Sequence, residues 1–244
     1  MPSHTPFRTR GARLLPRAAA ALLLLLAACS DGGGPLATEA DTPASAVIAT
    51  RFADDFDVPV DGRWELDTHA LGRGFVRASN VSLGGGAAAV FLAPGAYDGG
   101  ELRSAQQFGY GSYAARMRTP RAPGSISAFF LYQGGSTSDE IDIELPNDGS
   151  RTVMFTTWVA GKQTHTVTLP LPFDPAAEFH EYRIDWAKGS VSFLVDGVPM
   201  LRRTRGVPRN PMYVMANAWW PVWMSGPVLA APLPLEIDQI RAGL

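Results

Sequence analysis

From Phe52 onward no window of the chain sustains an apolar repeat of 3.6 residues; short segments rich in β-branched and aromatic residues alternate instead with clusters of Gly, Pro, Asn and Asp. That pattern excludes a helical bundle and predicts a mostly β domain. Tyr182-Arg183-Ile184-Asp185-Trp186 alternates inward and outward, Ala187-Lys188-Gly189 turns, and Ser190 to Val195 supplies the next strand. Asp196-Gly197 then signals a tight hairpin, because both central positions of such a turn favour φ > 0. Val153 to Ala160 and Gln163 to Leu169 read as another pair around Gly161-Lys162. So many strands at this spacing predict two packed antiparallel sheets, a β-sandwich or jelly roll. No repeat of the solenoid or propeller kind is present.

The chain of 244 residues suits one such domain, preceded by a leader. Arg8, Arg10, Arg13 and Arg17 form a basic region ahead of a short apolar run from Ala18 to Ala28, as in a secretory signal peptide, and the run is too short to span a bilayer. It ends in Leu26-Ala27-Ala28-Cys29, which resembles a bacterial lipobox, and Cys29 is the only cysteine in the chain. The expectation is a signal peptide over residues 1–28, a lipidated Cys29 with a flexible tether over 29–46, and a folded domain over 47–244. The protein is then exported and lipid-anchored to the cell envelope, with Ser30 compatible with outer-membrane sorting in a Gram-negative source. A single cysteine leaves no intrachain disulfide and no CxxC metal cluster. The leader holds four of the 21 basic residues and none of the 23 acidic ones, so the remainder carries 17 − 23 = −6. That charge disfavours a nucleic-acid partner; a monomer is the default expectation.

The stretch richest in chemistry is Asp139-Glu140-Ile141-Asp142-Ile143-Glu144, where acids and isoleucines alternate with the strand period of two. Glu140, Asp142 and Glu144 therefore share one face. The two glutamates have Cα atoms roughly 13 Å apart at about 3.3 Å per residue, and leaning side chains can close much of that gap. Retaining glycosidases work with two carboxyl groups about 5 to 5.5 Å apart. Asp142 between them raises the cost of ionising all three, so at least one glutamate keeps a proton at neutral pH, as a general acid must. Alternation alone favours a plainer reading, a solvated acidic face or a calcium site.

The wider sequence weighs against that plainer reading. Glu140-Ile141-Asp142-Ile143-Glu144 resembles the active-site signature of glycoside hydrolase family 16, in the uninterrupted form of its lichenases and xyloglucan-active members. The resemblance runs from about Phe52 to Arg241. Upstream it takes in Gly100-Glu101-Leu102-Arg103-Ser104, Tyr110-Gly111-Ser112-Tyr113 and Gly124 to Tyr132. Downstream it takes in Phe179-His180-Glu181-Tyr182, Val195-Asp196-Gly197 and Asn217-Ala218-Trp219. It implies endo-hydrolysis of a β-linked polysaccharide, with β-glucan foremost, by double displacement with retention. Glu140 is the implied nucleophile, Glu144 the acid/base, and Asp142 the residue that holds and tunes the nucleophile.

The same resemblance implies substrate contacts from Glu101, Arg103, Phe130, Tyr132, Trp158, Trp219 and Trp223, with a structural Arg-Glu pair as the alternative for Glu101 and Arg103. Ser138 stands where the lichenases carry tryptophan, Thr156 replaces an asparagine, and Trp158 stands where tyrosine is common, so the substrate is open among β-1,3-1,4-glucan, β-1,3-glucan, xyloglucan and a galactan. No cofactor is required, although the resemblance leaves room for a structural calcium with Asp238 as one ligand. His69, His165 and His180 lack metal-ligand spacing, and Asp54-Asp55-Phe56-Asp57 lacks the later ligands of an EF-hand loop. The competing readings are a lectin-like binder, a transglycosylase using the same site, and an envelope scaffold with a degenerate site.

Overall fold

The structure, a computed structural model, describes residues 50–58 and 62–243. The signal peptide, Cys29 and the tether expected from the sequence lie outside the described residues.

Two antiparallel sheets make up the domain. In the first, seven strands run in the order Lys162–Pro170, Thr152–Val159, Glu140–Pro146, Ile126–Tyr132, Met212–Trp219, Gly100–Phe108 and Trp64–Glu65. The second runs Val198–Arg203, Ser190–Val195, His180–Ala187, Gly111–Arg118, Leu233–Gly243, Ala87–Leu92 and Val81–Gly84, and Thr50–Asp54 also pairs with Leu233–Gly243. A hairpin, His69–Leu71 with Gly74–Val76, forms a two-stranded ladder of its own and is joined to the neighbourhood of the seven-stranded sheet by a bridge from Val76 to Gly99. Among the described residues the only helical element is a 3-10 turn at Ala78–Asn80.

The period of two decides which side chains go where. On the seven-stranded sheet Leu102, Phe129, Leu131, Ile141, Ile143, Leu145, Val153 and Phe155 point inward, each no more than 1% exposed. Tyr113, Met117, Tyr182, Ile184, Phe193 and Ile237 answer from the other sheet. Phe155 and Phe193 stack across the interface with ring centroids 4.7 Å apart. Burying an aliphatic or aromatic side chain of this size contributes about 1.5–3 kcal/mol, so the isoleucines of the acidic strand anchor it as firmly as any part of the core. A one-residue slip would exchange acids for isoleucines, so burial of the isoleucines also fixes where the acids point.

The hairpins follow their turn residues. Asp196 and Gly197 take φ of 49° and 76°, as expected for that turn. The turn before Lys162–Pro170 lies one residue earlier than the sequence suggests: Ala160 and Gly161 take φ of 51° and 74°, and Lys162 opens the strand. Gly161 packs against Ser136 and Thr137, where a Cβ would meet the Ser136 carbonyl oxygen at 2.6 Å. Close packing therefore adds to the turn's own demand for glycine at this position.

Candidate active site

The face of the seven-stranded sheet opposite the core floors a cleft of about 620 Å³, within the range that holds a ligand. Glu140, Asp142 and Glu144 lie along its floor. Their positions follow from register. Glu140 sits between Tyr132 and Trp158, Asp142 between Phe130 and Thr156, and Glu144 between Ala128 and Met154. Next along, Asn217 pairs with Ala128 on one side and with Glu101 on the other. Ile126, Ala128, Phe130 and Met215 form a small apolar cluster on this face, with Tyr132, Met154 and Trp219 packed against it. The acids thus sit in an apolar setting away from bulk water.

That setting governs their protonation. Burial pushes Glu144 up to about 7, and the charge of Glu140 adds to the effect. Burial also lifts Glu140 to about 7, but a hydrogen bond with Asp142 pulls it back down while the charge of Glu101 pushes it up. Asp142 is buried and held well above the ordinary carboxylate range, first by burial, then by the charges of Glu140 and Glu144 and by its bond to Glu140; Trp158 opposes this. Trp158 Nε1 donates to Asp142 Oδ2 at 3.0 Å. Asp142 is thereby biased toward its protonated form, which can donate to Glu140. That bond favours the ionised form of Glu140, while burial and the charge of Glu140 favour the protonated form of Glu144. One face therefore brings together two glutamates raised to about 7, near enough to neutrality for one to be ionised while the other holds a proton, the pairing that acid-assisted displacement at an acetal carbon requires.

The aromatic residues divide as their neighbours dictate. Trp220 is wholly buried and edges onto Tyr97 with centroids 5.3 Å apart, so it is core. Trp219 borders the cleft and meets Trp223 edge-on at 5.4 Å. Trp223, 62% exposed, stands at the cleft mouth. Phe130, Tyr132 and Trp158 line the cleft as the sequence suggests. Arg103 shares the face of Glu101 but does not border the cavity. Its guanidinium is tied to Glu65, reaches Asp67 at 3.3 Å and lies over the Tyr213 ring. Ser138 is buried with its hydroxyl on the Gly135 carbonyl oxygen and does not border the cleft.

Several contributors are not evident from sequence spacing. His69 comes from the two-stranded hairpin and reaches Glu101, 32 residues away, at 3.0 Å. Gln163 reaches the cleft because a register shift at the Thr157/Trp158 step offsets its strand by a residue, so that it pairs with Trp158. Asp139, the neighbour of Glu140, points to the other side of the strand and is buried. Its Oδ2 accepts from the backbone of Arg209 and Asn210 and from Asn210 Nδ2, and its Oδ1 from the backbone of Ala160. His180 binds Asp196 at 2.7 Å and stacks on Phe173, consistent with a structural role.

Asp238 lies on the eight-stranded sheet, where the pairing with Gly111–Arg118 shifts register between Ile237 and Gln239. Its Oδ2 is paired with Arg116, while Oδ1 is buried without a partner. Among the described residues no three His, Cys, Asp or Glu side chains gather as a metal cluster. The buried, unpartnered Asp238 Oδ1 is the feature here that fits a cation ligand.

The profile of the family described as glycosyl hydrolases family 16 matches residues 73–223. The chain is 36% identical to a beta-glucanase of Bacillus subtilis over 187 residues, covering 72% of this chain and 77% of that protein. It is 34% identical to a beta-glucanase of Bacillus licheniformis over 187 residues, with the same two coverages. The solved structure of the Bacillus licheniformis beta-glucanase superposes with a TM-score of 0.74 at 29% identity, over 80% of this chain and 98% of that one. A laminarinase catalytic domain from Thermotoga maritima shares the fold, with a TM-score of 0.68 at 19% identity, over 80% of this chain and 97% of that one.

Proposed function

The chain belongs to glycosyl hydrolase family 16 and is a glycosidase acting on O-glycosyl bonds; from that premise we propose that it cuts within β-glucan chains with retention, through Glu140, Asp142 and Glu144. The observation that carries the reading is the cleft floor itself: three acids on one face, with Asp142 held between Trp158 and Glu140.

In the first step a Glu140 carboxylate oxygen attacks the anomeric carbon as the bond to the leaving oxygen breaks, and Glu144 gives that oxygen its proton. The result is a glycosyl ester on Glu140 and an ionised Glu144. In the second step Glu144 takes a proton from water, whose oxygen attacks the anomeric carbon and releases Glu140 as carboxylate. Asp142 steadies Glu140 by its hydrogen bond in both steps. Two inversions give net retention.

The cleft favours an uncharged glycan. Four carboxyl groups border it, from Glu101, Glu140, Asp142 and Glu144, and His69 is the only side chain among those bordering it that can carry positive charge. A sulfated galactan brings anions that this lining would repel, whereas the C–H faces of glucose suit Trp219, Trp223 and Trp158. The similarity to bacterial beta-glucanases agrees with that choice.

Cys29 is the proposed lipidation site, anchoring the exported enzyme to the cell envelope, with the lipobox-like Leu26-Ala27-Ala28-Cys29 as its support. Asp238 is the proposed carboxylate ligand of a structural calcium. That ion would neutralise a buried oxygen and take no part in the chemistry.

The test is reducing-end release by residues 30–244 on barley β-glucan, laminarin, xyloglucan and a galactan, beside Glu140→Gln. Release from a β-glucan that disappears in the variant supports the reading. Glycan binding by both proteins with no release by either overturns it in favour of a lectin-like binder.

A further inference from the structure

The hairpin that bears His69 is fastened along its second strand, where the Gly99 N–H donates to the Phe75 carbonyl at 2.8 Å and the Phe75 N–H to Asp98 Oδ1 at 3.0 Å, and at both of its ends. At its turn, the Arg73 backbone N–H donates to the Trp220 carbonyl at 2.8 Å, and Gly72 approaches so closely that a Cβ would meet that carbonyl oxygen at 2.1 Å. At its other end, His69 Nε2 lies 3.0 Å from Glu101 Oε1, and His69 Nδ1 lies 3.1 Å from the Ala70 carbonyl oxygen.

Both partners of the ring are acceptors. A neutral imidazole has only one N–H to donate, so satisfying both contacts requires the imidazolium. Glu101 is buried, and its second oxygen, Oε2, accepts from Asn217 Nδ2 at 2.9 Å. That bond fixes which way the Asn217 amide faces. Its Oδ1 is then left buried without a hydrogen-bond partner, in a side chain that borders the cleft. A buried acceptor without a donor costs about 1–3 kcal/mol, so the arrangement favours a ligand that brings a hydroxyl.

We propose that His69 is a positioning residue for glycan binding: as an imidazolium it clamps Glu101, which orients Asn217 so that its Oδ1 accepts a hydroxyl of the bound sugar. The proposal rests on the hydrolase reading above and adds a residue to it.

The surrounding charges agree. Burial lowers the His69 pKa, but the bonds to Glu101 and the Ala70 carbonyl, with the charges of Glu101 and Asp67, raise it above the ordinary 6.5 overall. The other charged groups nearby have partners of their own. Arg103 is tied to Glu65 and Asp67, Arg77 to Asp98, and Arg73 lies over the Tyr97 ring. His69 is thus the cation that faces Glu101. When it loses its proton, one of its two contacts must break. The charge on Glu101, which already bears on Glu140, then goes uncompensated.

The experiment follows KM and kcat for a soluble β-1,3-1,4-glucan against pH in the wild type and in His69→Gln, with the ¹⁵N shifts of the His69 ring titrated in the wild type. In the wild type KM should rise about three- to tenfold as the imidazole loses its proton, the worth of one hydrogen bond, with kcat following only the catalytic acids. His69→Gln should show the high KM on both sides of that titration. Both ring nitrogens should give protonated-type shifts at neutral pH. Parallel KM profiles in the two proteins, or a neutral tautomer at neutral pH, would overturn the role of His69 while leaving the hydrolase reading intact. A wild type that hydrolyses no β-glucan would overturn both.

Discussion

Replacing Asp139 tests whether the acidic strand is held from behind as the structure indicates. This carboxylate is 2% exposed and accepts four N–H groups, three on Oδ2 and one on Oδ1. In Asp139→Asn the amide can turn its oxygen to the Arg209–Asn210 side, but its NH₂ group then confronts the Ala160 N–H, leaving that donor unmet and a buried amine without an acceptor. At about 1–3 kcal/mol for each unmet buried group, offset in part by relaxation, the loss is about 2 kcal/mol. Asp139→Ala strands all four donors beside a cavity, and the expected loss is about 4 kcal/mol. For a domain of this size each kcal/mol lowers Tm by roughly 2–4 °C, so the falls are about 4–8 °C and 8–16 °C. Thermal and urea unfolding followed by circular dichroism measure both. An Asn variant within about 0.5 kcal/mol of the wild type, the range of ordinary surface substitutions, would refute the reasoning.

The catalytic acids make a linked pair of expectations. Activity needs Glu140 ionised and Glu144 protonated, so kcat/KM should be bell-shaped, falling above about 7 as Glu144 ionises and falling again at lower pH as Glu140 takes up a proton. Because the folded-state value of Glu144 lies above the ordinary 4.5, its proton stabilises the fold fully below about 4.5 and progressively less up to about 7. Unfolding free energy should fall across that window, and Glu144→Gln should flatten the fall; equal slopes in the two proteins would contradict it. Calcium should raise Tm and a chelator lower it, with Asp238→Asn abolishing the response; an identical Tm with and without calcium excludes the ion. The full-length chain expressed in a bacterial host should partition into detergent and carry acyl mass on Cys29, and Cys29→Ser should release it to the aqueous phase; aqueous partitioning of both would overturn the anchor.

Much of the architecture was legible in the sequence because both sheets are antiparallel with one face buried, and such strands write their orientation as a period of two. The Ile-acid alternation from Glu140 to Glu144 is the clearest case: the isoleucines are core and the acids line the cleft. The hairpin at Asp196-Gly197 was readable because the turn demands positive φ. What alternation does not encode is contact between distant segments. His69 and Glu101 meet only because the hairpin folds back over the floor, and Gln163 enters the cleft through a register shift that leaves no mark in the residue pattern. Asp139 carries the opposite lesson. Its place on the other side of the strand from Glu140 was implied by the same alternation, yet nothing local announces that a loop seventy residues later closes on it. The tryptophans show composition failing where geometry decides: Trp219 and Trp220 are adjacent, and one borders the cleft while the other is core.

The central claim is that Glu140 forms the covalent intermediate and Glu144 supplies the proton. Incubation with an activated 2-deoxy-2-fluoro-glucooligosaccharide, followed by peptide mapping in a mass spectrometer, tests it most directly. One glycosyl adduct is expected, on the peptide containing Glu140 and localised to that side chain by fragmentation. An adduct on Glu144, or turnover of β-glucan that releases the inverted anomer with no adduct at all, would contradict it.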